Sequence, residues 1–228
     1  MVELGEAHHS WGMSDSTTTS PALDDNALMD ALWSLVAERG WNGFTLPELA
    51  ERAGITLPAL RAVAPVKFAL LCRHARLVDQ AVAADAGLNP GGSPRDRIFD
   101  VLMRRIDALQ PHRDGLIRFG REMRRDPLLS LALAPVLAAS MSWMLEAARI
   151  SACGPAGLLR VKGLSAVWIA TLRAWEQDES MDLGPTMAAL DRALDKAERV
   201  ARLFRLDGGE PAPAAPPPAA GPAPEIVT

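Results

Sequence analysis

The chain has 228 residues, of which 49% are hydrophobic and 23% charged, and a formal net charge of −4. That balance excludes a disordered or collagenous chain and leaves room for one sizeable domain, or for a small and a larger one sharing a core. It also excludes a global attraction to phosphate, so any contact with nucleic acid has to come from a local basic patch.

Residues 1–22, rich in Ser, Thr, Asp and His, read as a disordered arm; without a basic stretch or a continuous apolar run they are not a secretory signal. A first amphipathic helix is expected from about Asp25 to Arg39, with Leu28, Leu32, Leu35 and Val36 on one stripe and Gly40 at its end. Thr45 caps a second, with Pro47 in its first turn, Glu48 placed for a capping box, and Leu46, Leu49 and Ala50 turned inward. After Gly54, Thr56 caps a short third helix that stops at Ala64-Pro65, because the residue before a proline is pushed out of the α region. A fourth runs from near Val66 to about Ala86, and the breakers Gly87, Asn89, Pro90, Gly91 and Gly92 mark the main boundary.

Pro94 opens a fifth helix, with Ile98, Val101, Leu102, Ile106 and Leu109 on one side and Asp96, Asp100, Arg104, Arg105 and Asp107 elsewhere. Arg113 to Arg125 forms a sixth. From Pro127 to Leu145 there is no charged residue and apolar residues occupy the whole circumference, which predicts a helix buried on all sides. Gly163 to Trp175 is similar, and a last amphipathic helix from about Thr186 to Leu206 sets Leu190, Leu194, Val200, Leu203 and Phe204 against Arg192, Lys196, Arg199, Arg202 and Arg205. The Pro/Ala-rich residues 207–228 have nothing to bury and read as a disordered tail. No alternating strand pattern and no repeat interrupts the series, so the fold class is all-α.

The stretch Thr45 to Leu71 has the punctuation of a helix-turn-helix, two short helices joined through Gly54-Ile55-Thr56. Only Thr56 and Arg61 stand where a base-reading helix would donate hydrogen bonds, and Lys67 could reach a phosphate. Between Asp24 and Arg76 six acids balance six bases, so this domain is neutral and DNA is not expected as a partner. Ser130, Ser140, Ser142 and Pro135 argue against a membrane span in the uncharged segment; it either fills a core or lines an apolar cavity that Met141, Trp143 and Met144 could shape. His74 and His112 sit alone, so no metal site is expected, and the acids of Trp175 to Glu179 read as a solvated turn. Cys72 and Cys153 read as core thiols of a cytoplasmic protein. No nucleophile with a base beside it appears, so the chain does not read as an enzyme.

Ala50-Glu51-Arg52-Ala53-Gly54 and Lys67-Phe68-Ala69-Leu70 resemble the N-terminal domain of TetR-family regulators, without the aromatic docking run, whose place is taken by Leu60-Arg61-Ala62-Val63-Ala64-Pro65, and without a basic arm. Arg95 to Arg105 and the stretch VWIATLRAWEQDESMDLGPTMAALDRAL, Val167 to Leu194, resemble the Coq-nine family of ubiquinone-biosynthesis accessory proteins, TetR-like lipid binders. The resemblance covers roughly residues 24 to 205. It implies a degraded helix-turn-helix domain at 23–86, and a helical lipid-binding domain at 93–206 that holds an isoprenoid lipid or phospholipid and no cofactor. It further implies a homodimer that presents a quinone precursor to a ubiquinone-pathway hydroxylase, peripherally on the inner face of the membrane. The lipid pocket is expected at Leu102, Ile106, Leu133, Leu137, Met141, Met144, Val167, Trp168 and Leu172. The competing expectation is a TetR-family repressor with a small-molecule pocket, touching DNA through Thr56, Arg61 and Lys67.

Overall fold

A computed structural model describes residues 24–85 and 91–203, and in these it holds nine α-helices and no strand. They are α1 (Asp25–Arg39), α2 (Leu46–Arg52), α3 (Leu57–Val63), α4 (Lys67–Asp85), α5 (Pro94–Leu109), α6 (Arg113–Met123), α7 (Pro127–Ala147), α8 (Gly154–Trp175) and α9 (Gly184–Leu203), with one 3-10 turn at Gln110–His112. The expected arm, the tail and most of the Gly/Pro boundary lie outside the described residues, as do Phe204, Arg205 and Leu206.

Side-chain caps set the starts. Asp24 accepts from the amides of Asn26 and Ala27 at α1, the Thr45–Glu48 pair closes a capping box at α2, and Ser93 with Asp96 does the same at α5. Gly40 ends α1 at φ +83°, donating to the Val36 carbonyl. A Cβ there would lie 2.1 Å from a Glu122 carboxylate oxygen, whose partner oxygen accepts the Trp41 amide at 2.8 Å. Left-handed backbone and close approach together require glycine at this junction of α1 and α6.

Two buried clusters form. The first joins α1–α4 through Leu28, Leu32, Leu35, Leu49, Leu60 and Leu70, and is closed by Phe119 of α6, whose ring meets Trp33 and Trp41 edge-on at 5.9 and 5.4 Å. The second gathers α4, α5, α7, α8 and α9 around Leu102, Ile106, Met141, Met144, Trp168 and Leu190. α4 serves both, with Leu70 and Leu71 in the first and Val78 and Val82 in the second.

The structure corrects several expectations. α8 begins at Gly154, nine residues before Gly163, because Pro155 is accommodated in a first helical turn. α7 is not buried on all sides: only 22% of its most apolar stretch is covered, with Ser140, Met141, Met144 and Leu145 fully buried and Leu129, Leu133, Leu137 and Ala138 partly so. Arg105 does not stand with the solvated charges of α5 but is 6% exposed, paired to Asp79 of α4, which also accepts the Ser140 hydroxyl at 2.8 Å. Its guanidinium lies 5.3 Å from the Trp168 ring centroid. Cys153 is exposed and Cys72 half-buried, so neither is a core thiol.

His74 and His112 are not alone either. Their rings meet at 5.6 Å, and the Trp33 indole donates to His74 Nδ1 at 3.1 Å while His112 Nε2 pairs with Asp30 at 2.8 Å. Burial pushes the His74 imidazole down to about 3, with the neighbouring His112 and Arg105 acting in the same direction.

Two outcomes follow from these buried groups. Replacing Asp79 by Ala strands the Arg105 guanidinium and should cost about 3–5 kcal/mol in urea unfolding, whereas the paired change Asp79→Leu with Arg105→Met should recover most of it. Between pH about 6.5 and about 3 the unfolded chain binds a proton at His74 that the folded chain refuses, so stability is full above the upper value and is lost as pH falls, by at most roughly 5 kcal/mol. His74→Asn keeps an acceptor for Trp33 and should flatten that part of the stability–pH curve.

Candidate nucleic-acid interface

α2 and α3 are joined by a tight turn in which Gly54 takes φ +66° with open space beside it, a left-handed step that swings α3 outward. Thr56 then caps α3, its hydroxyl oxygen accepting the Ala59 amide at 3.3 Å. α3 buries Leu60 and presents Leu57, Pro58, Arg61 and Ala62 to solvent.

The expected DNA-contact residues all face intramolecular partners as well. Thr56 uses an acceptor lone pair in the cap, and its hydroxyl proton stays available for donation. Arg61 is exposed and donates to the Pro65 carbonyl at 2.5 Å. Lys67 is held more firmly: its ammonium donates to the carbonyls of Trp41 and, at 2.8 Å, Phe44, and lies 3.5 Å from the Phe44 ring centroid. Burial lowers the Lys67 pKa, partly countered by Glu122 and Glu48.

The surrounding cations are paired too. Arg39 meets Glu48 at 2.8 Å, Arg52 meets Glu38 at 2.9 Å, and Arg73 meets Asp25. The Arg52 hydrogen bonds draw the Glu38 carboxyl down to about 2, and Glu48 is lowered by the Thr45 amide and hydroxyl and then by Arg39. Three of the six bases counted from sequence are therefore paired with acids of the same domain, while Arg61 and Lys67 meet backbone carbonyls.

Of the expected lipid residues, Leu102, Ile106, Met141, Met144, Val167 and Trp168 lie together in the second cluster, with Leu137 and Leu172 half-buried against it. Leu133 is set apart, packing on the first cluster. Two shallow surface concavities lie away from these residues. One, of about 330 Å³, lies among Arg39, Asn42, Gly43, Glu122, Arg125 and Asp126; the other, of about 230 Å³, among Arg95, Asp96, Phe99, Asp100 and Asp191.

The acidic turn after α8 is not simply solvated. Asp178 is buried and accepts from the amides and hydroxyls of both Ser180 and Thr186, at 2.5 to 3.0 Å. Burial raises its pKa, but those four donors outweigh it and leave the carboxyl at about 2. Arg113 donates to the carbonyls of Trp175 and Asp178, tying the turn to α6. The Gln-Asp-x-Ser-x-Asp stretch is thus the clasp that reverses the chain between α8 and α9. Sequence reading missed its burial, as it missed Asp79, although a lone acid between Val78 and Val82 was a visible signal.

No family model matches the chain, and no curated protein matches it. Solved structures do. A TetR transcriptional regulator from Nitrosomonas europaea is 22% identical, with 77% of this chain and 98% of that one covered at a TM-score of 0.59. One from Rhodococcus sp. RHA1 is 19% identical, covering 75% and 93% at 0.56, and a TetR-family regulator from Streptomyces coelicolor is 15% identical, covering 79% and 84% at 0.50. The chain has an all-α, TetR-like fold, with the helix-turn-helix at its N-terminal end.

Lys67→Met should unfold the protein more readily by about 1–3 kcal/mol, because the Trp41 and Phe44 carbonyls lose their donor. In thermal or urea unfolding this loss separates a structural lysine from one that serves only a phosphate.

Proposed function

We propose that the protein is a TetR-type regulator that binds DNA as a homodimer through α3. The observation that carries this reading is the outward α3 face, open to solvent at Thr56, Leu57 and Arg61, in a fold that aligns over nearly the whole length of a TetR transcriptional regulator. Arg61 exchanges its exposed bond to the neutral Pro65 carbonyl for a bond to a charged phosphate oxygen, which a guanidinium makes more strongly. Thr56 donates its free hydroxyl proton, and Leu57 and Ala62 suit thymine methyl groups, the apolar feature of the major groove. Lys67 is left out of the proposed contacts, because leaving its two carbonyls would uncover them.

The isoprenoid-carrier reading, with a ubiquinone-pathway hydroxylase as partner, has one observation in its favour: the pairing of Arg39, Arg52 and Arg73 within the helix-turn-helix domain lowers its attraction for phosphate. It expects quinone or phospholipid to be recovered on extraction of the purified protein.

Band-shift titrations against the protein's own upstream region decide between them. Sequence-specific retardation is expected, with a shallow salt slope reflecting few phosphate contacts, and Arg61→Ala should reduce that slope by about 1 per protomer. Absence of specific retardation at low salt overturns the regulator reading.

A further inference from the structure

We propose that His112 and His74 form a proton-driven tautomer switch that releases Trp33 of α1, a regulatory device that does not depend on contact with DNA. The tautomers follow from the partners. The Trp33 indole is a donor only and lies 3.1 Å from His74 Nδ1, so that nitrogen holds a lone pair and the neutral ring keeps its proton on Nε2. Asp30 presents a carboxylate oxygen 2.8 Å from His112 Nε2, so there the proton sits on Nε2 and the lone pair on Nδ1. The two nitrogens left over, His74 Nε2 and His112 Nδ1, are buried and have no hydrogen-bond partner among the described residues. One is a donor and the other an acceptor, on rings whose centroids are 5.6 Å apart.

A proton entering this group goes to His112. There the Asp30 carboxylate turns its contact into an ion pair. His74 has no carboxylate beside it, and burial, followed by the charges of His112 and Arg105, holds its imidazole down at about 3. The other charges around the two rings are committed. Arg73 of α4 meets Asp25, Arg105 of α5 meets Asp79, and Arg113 of α6 donates to the carbonyls of Trp175 and Asp178. Asp107 and Asp114, on the helices either side of His112, are exposed to solvent.

With a proton on Nδ1, His112 becomes a donor next to the Nε2 donor of His74. Two N–H groups sharing one interior space of low dielectric repel each other. His74 relieves this without gaining charge: Nε2 loses its proton, Nδ1 gains one, and Nε2 can then accept from His112. The new Nδ1 proton opposes the Trp33 indole, and because both are donors that bond breaks. Trp33 is buried in the first cluster, edge-on to Phe119 at 5.9 Å, so acid loosens the hold of α4 and α6 on α1. One proton taken up at η1 is thereby read out on the first helix of the helix-turn-helix domain.

NMR of the imidazole nitrogens and indole N–H groups in the full-length protein, followed as pH falls, tests this. His112→Gln, His74→Asn and Trp33→Phe assign the signals. At high pH both rings should carry their proton on Nε2. On acidification His112 should become doubly protonated while His74 stays neutral and moves its proton to Nδ1, and the Trp33 indole N–H should shift with the same midpoint. His112→Gln keeps a donor for Asp30 but takes up no proton, so it should hold His74 in its first tautomer and abolish the Trp33 shift. A His74 that keeps its Nε2 proton throughout the His112 titration overturns the proposal. So does a Trp33 shift that persists in His112→Gln, or global unfolding before His112 takes up its proton. None of these signals requires DNA, so failure of the switch and failure of operator binding are told apart.

Discussion

The buried pair between Arg105 and Asp79 is the constraint on which the relation of the helices depends. Two ions removed from water are tolerated only when each has the other at hand and spare lone pairs are used, and here Ser140 takes the second carboxylate oxygen while the Trp168 face covers the guanidinium. Three helices are thereby fixed at one height: α4 through Asp79, α5 through Arg105 and α7 through Ser140. Hydrophobic contacts alone would allow sliding along the helix axes, since Leu and Val side chains accept many neighbours. An ion pair does not, because a shift by one turn leaves a charge bare. The pair thus acts more on register than on net stability, as expected when desolvation offsets much of the Coulombic gain.

That register governs the helix-turn-helix through α4, whose first half carries Leu70 and Leu71 into the N-terminal cluster while its second half carries Val78, Val82 and Asp79 into the other. α6 makes a second tie at the Gly40–Glu122 contact and through Arg118, which donates to the carbonyls of Ala37 and Glu38 at 2.9 Å. With two anchors on opposite ends of α1 and α4, the N-terminal helices are held as a body, and whatever α3 meets is met by a preset surface.

Much of this was legible in the sequence because it rests on local chemistry. The Thr45–Glu48 box, the Gly54 turn and the stripe of Leu28, Leu32, Leu35 and Val36 each need only residues a few positions apart. The chemistry of the candidate interface was legible less completely: Thr56, Arg61 and Lys67 were found by position, but the carbonyls that hold Lys67 come from residues more than twenty positions earlier. The same distance hid Asp79 from Arg105 and His74 from Trp33, whereas Ser180 and Thr186, the partners of Asp178, lie only two and eight positions on, and its burial was missed for want of a regular period in the turn. Polar residues placed among apolar ones invite a reading as solvated, and only the partner, which no period encodes, reverses it.

α7 shows the opposite error. Absence of charge was taken for burial, yet charge is absent wherever a surface has no use for water, whether that surface meets protein or lipid. Periodicity separates the two only when one side carries polar residues, and in α7 alanine, serine and leucine alternate around the circumference. What distinguishes the faces is which of them the rest of the chain has side chains to cover. α4, α5 and α8 cover one side with Val78, Val101 and Val161 among others, and no further described helix remains for the second. An apolar helix face that the described helices leave uncovered depends on which partners lie far away in the chain, a long-range property that the residues of α7 do not themselves encode.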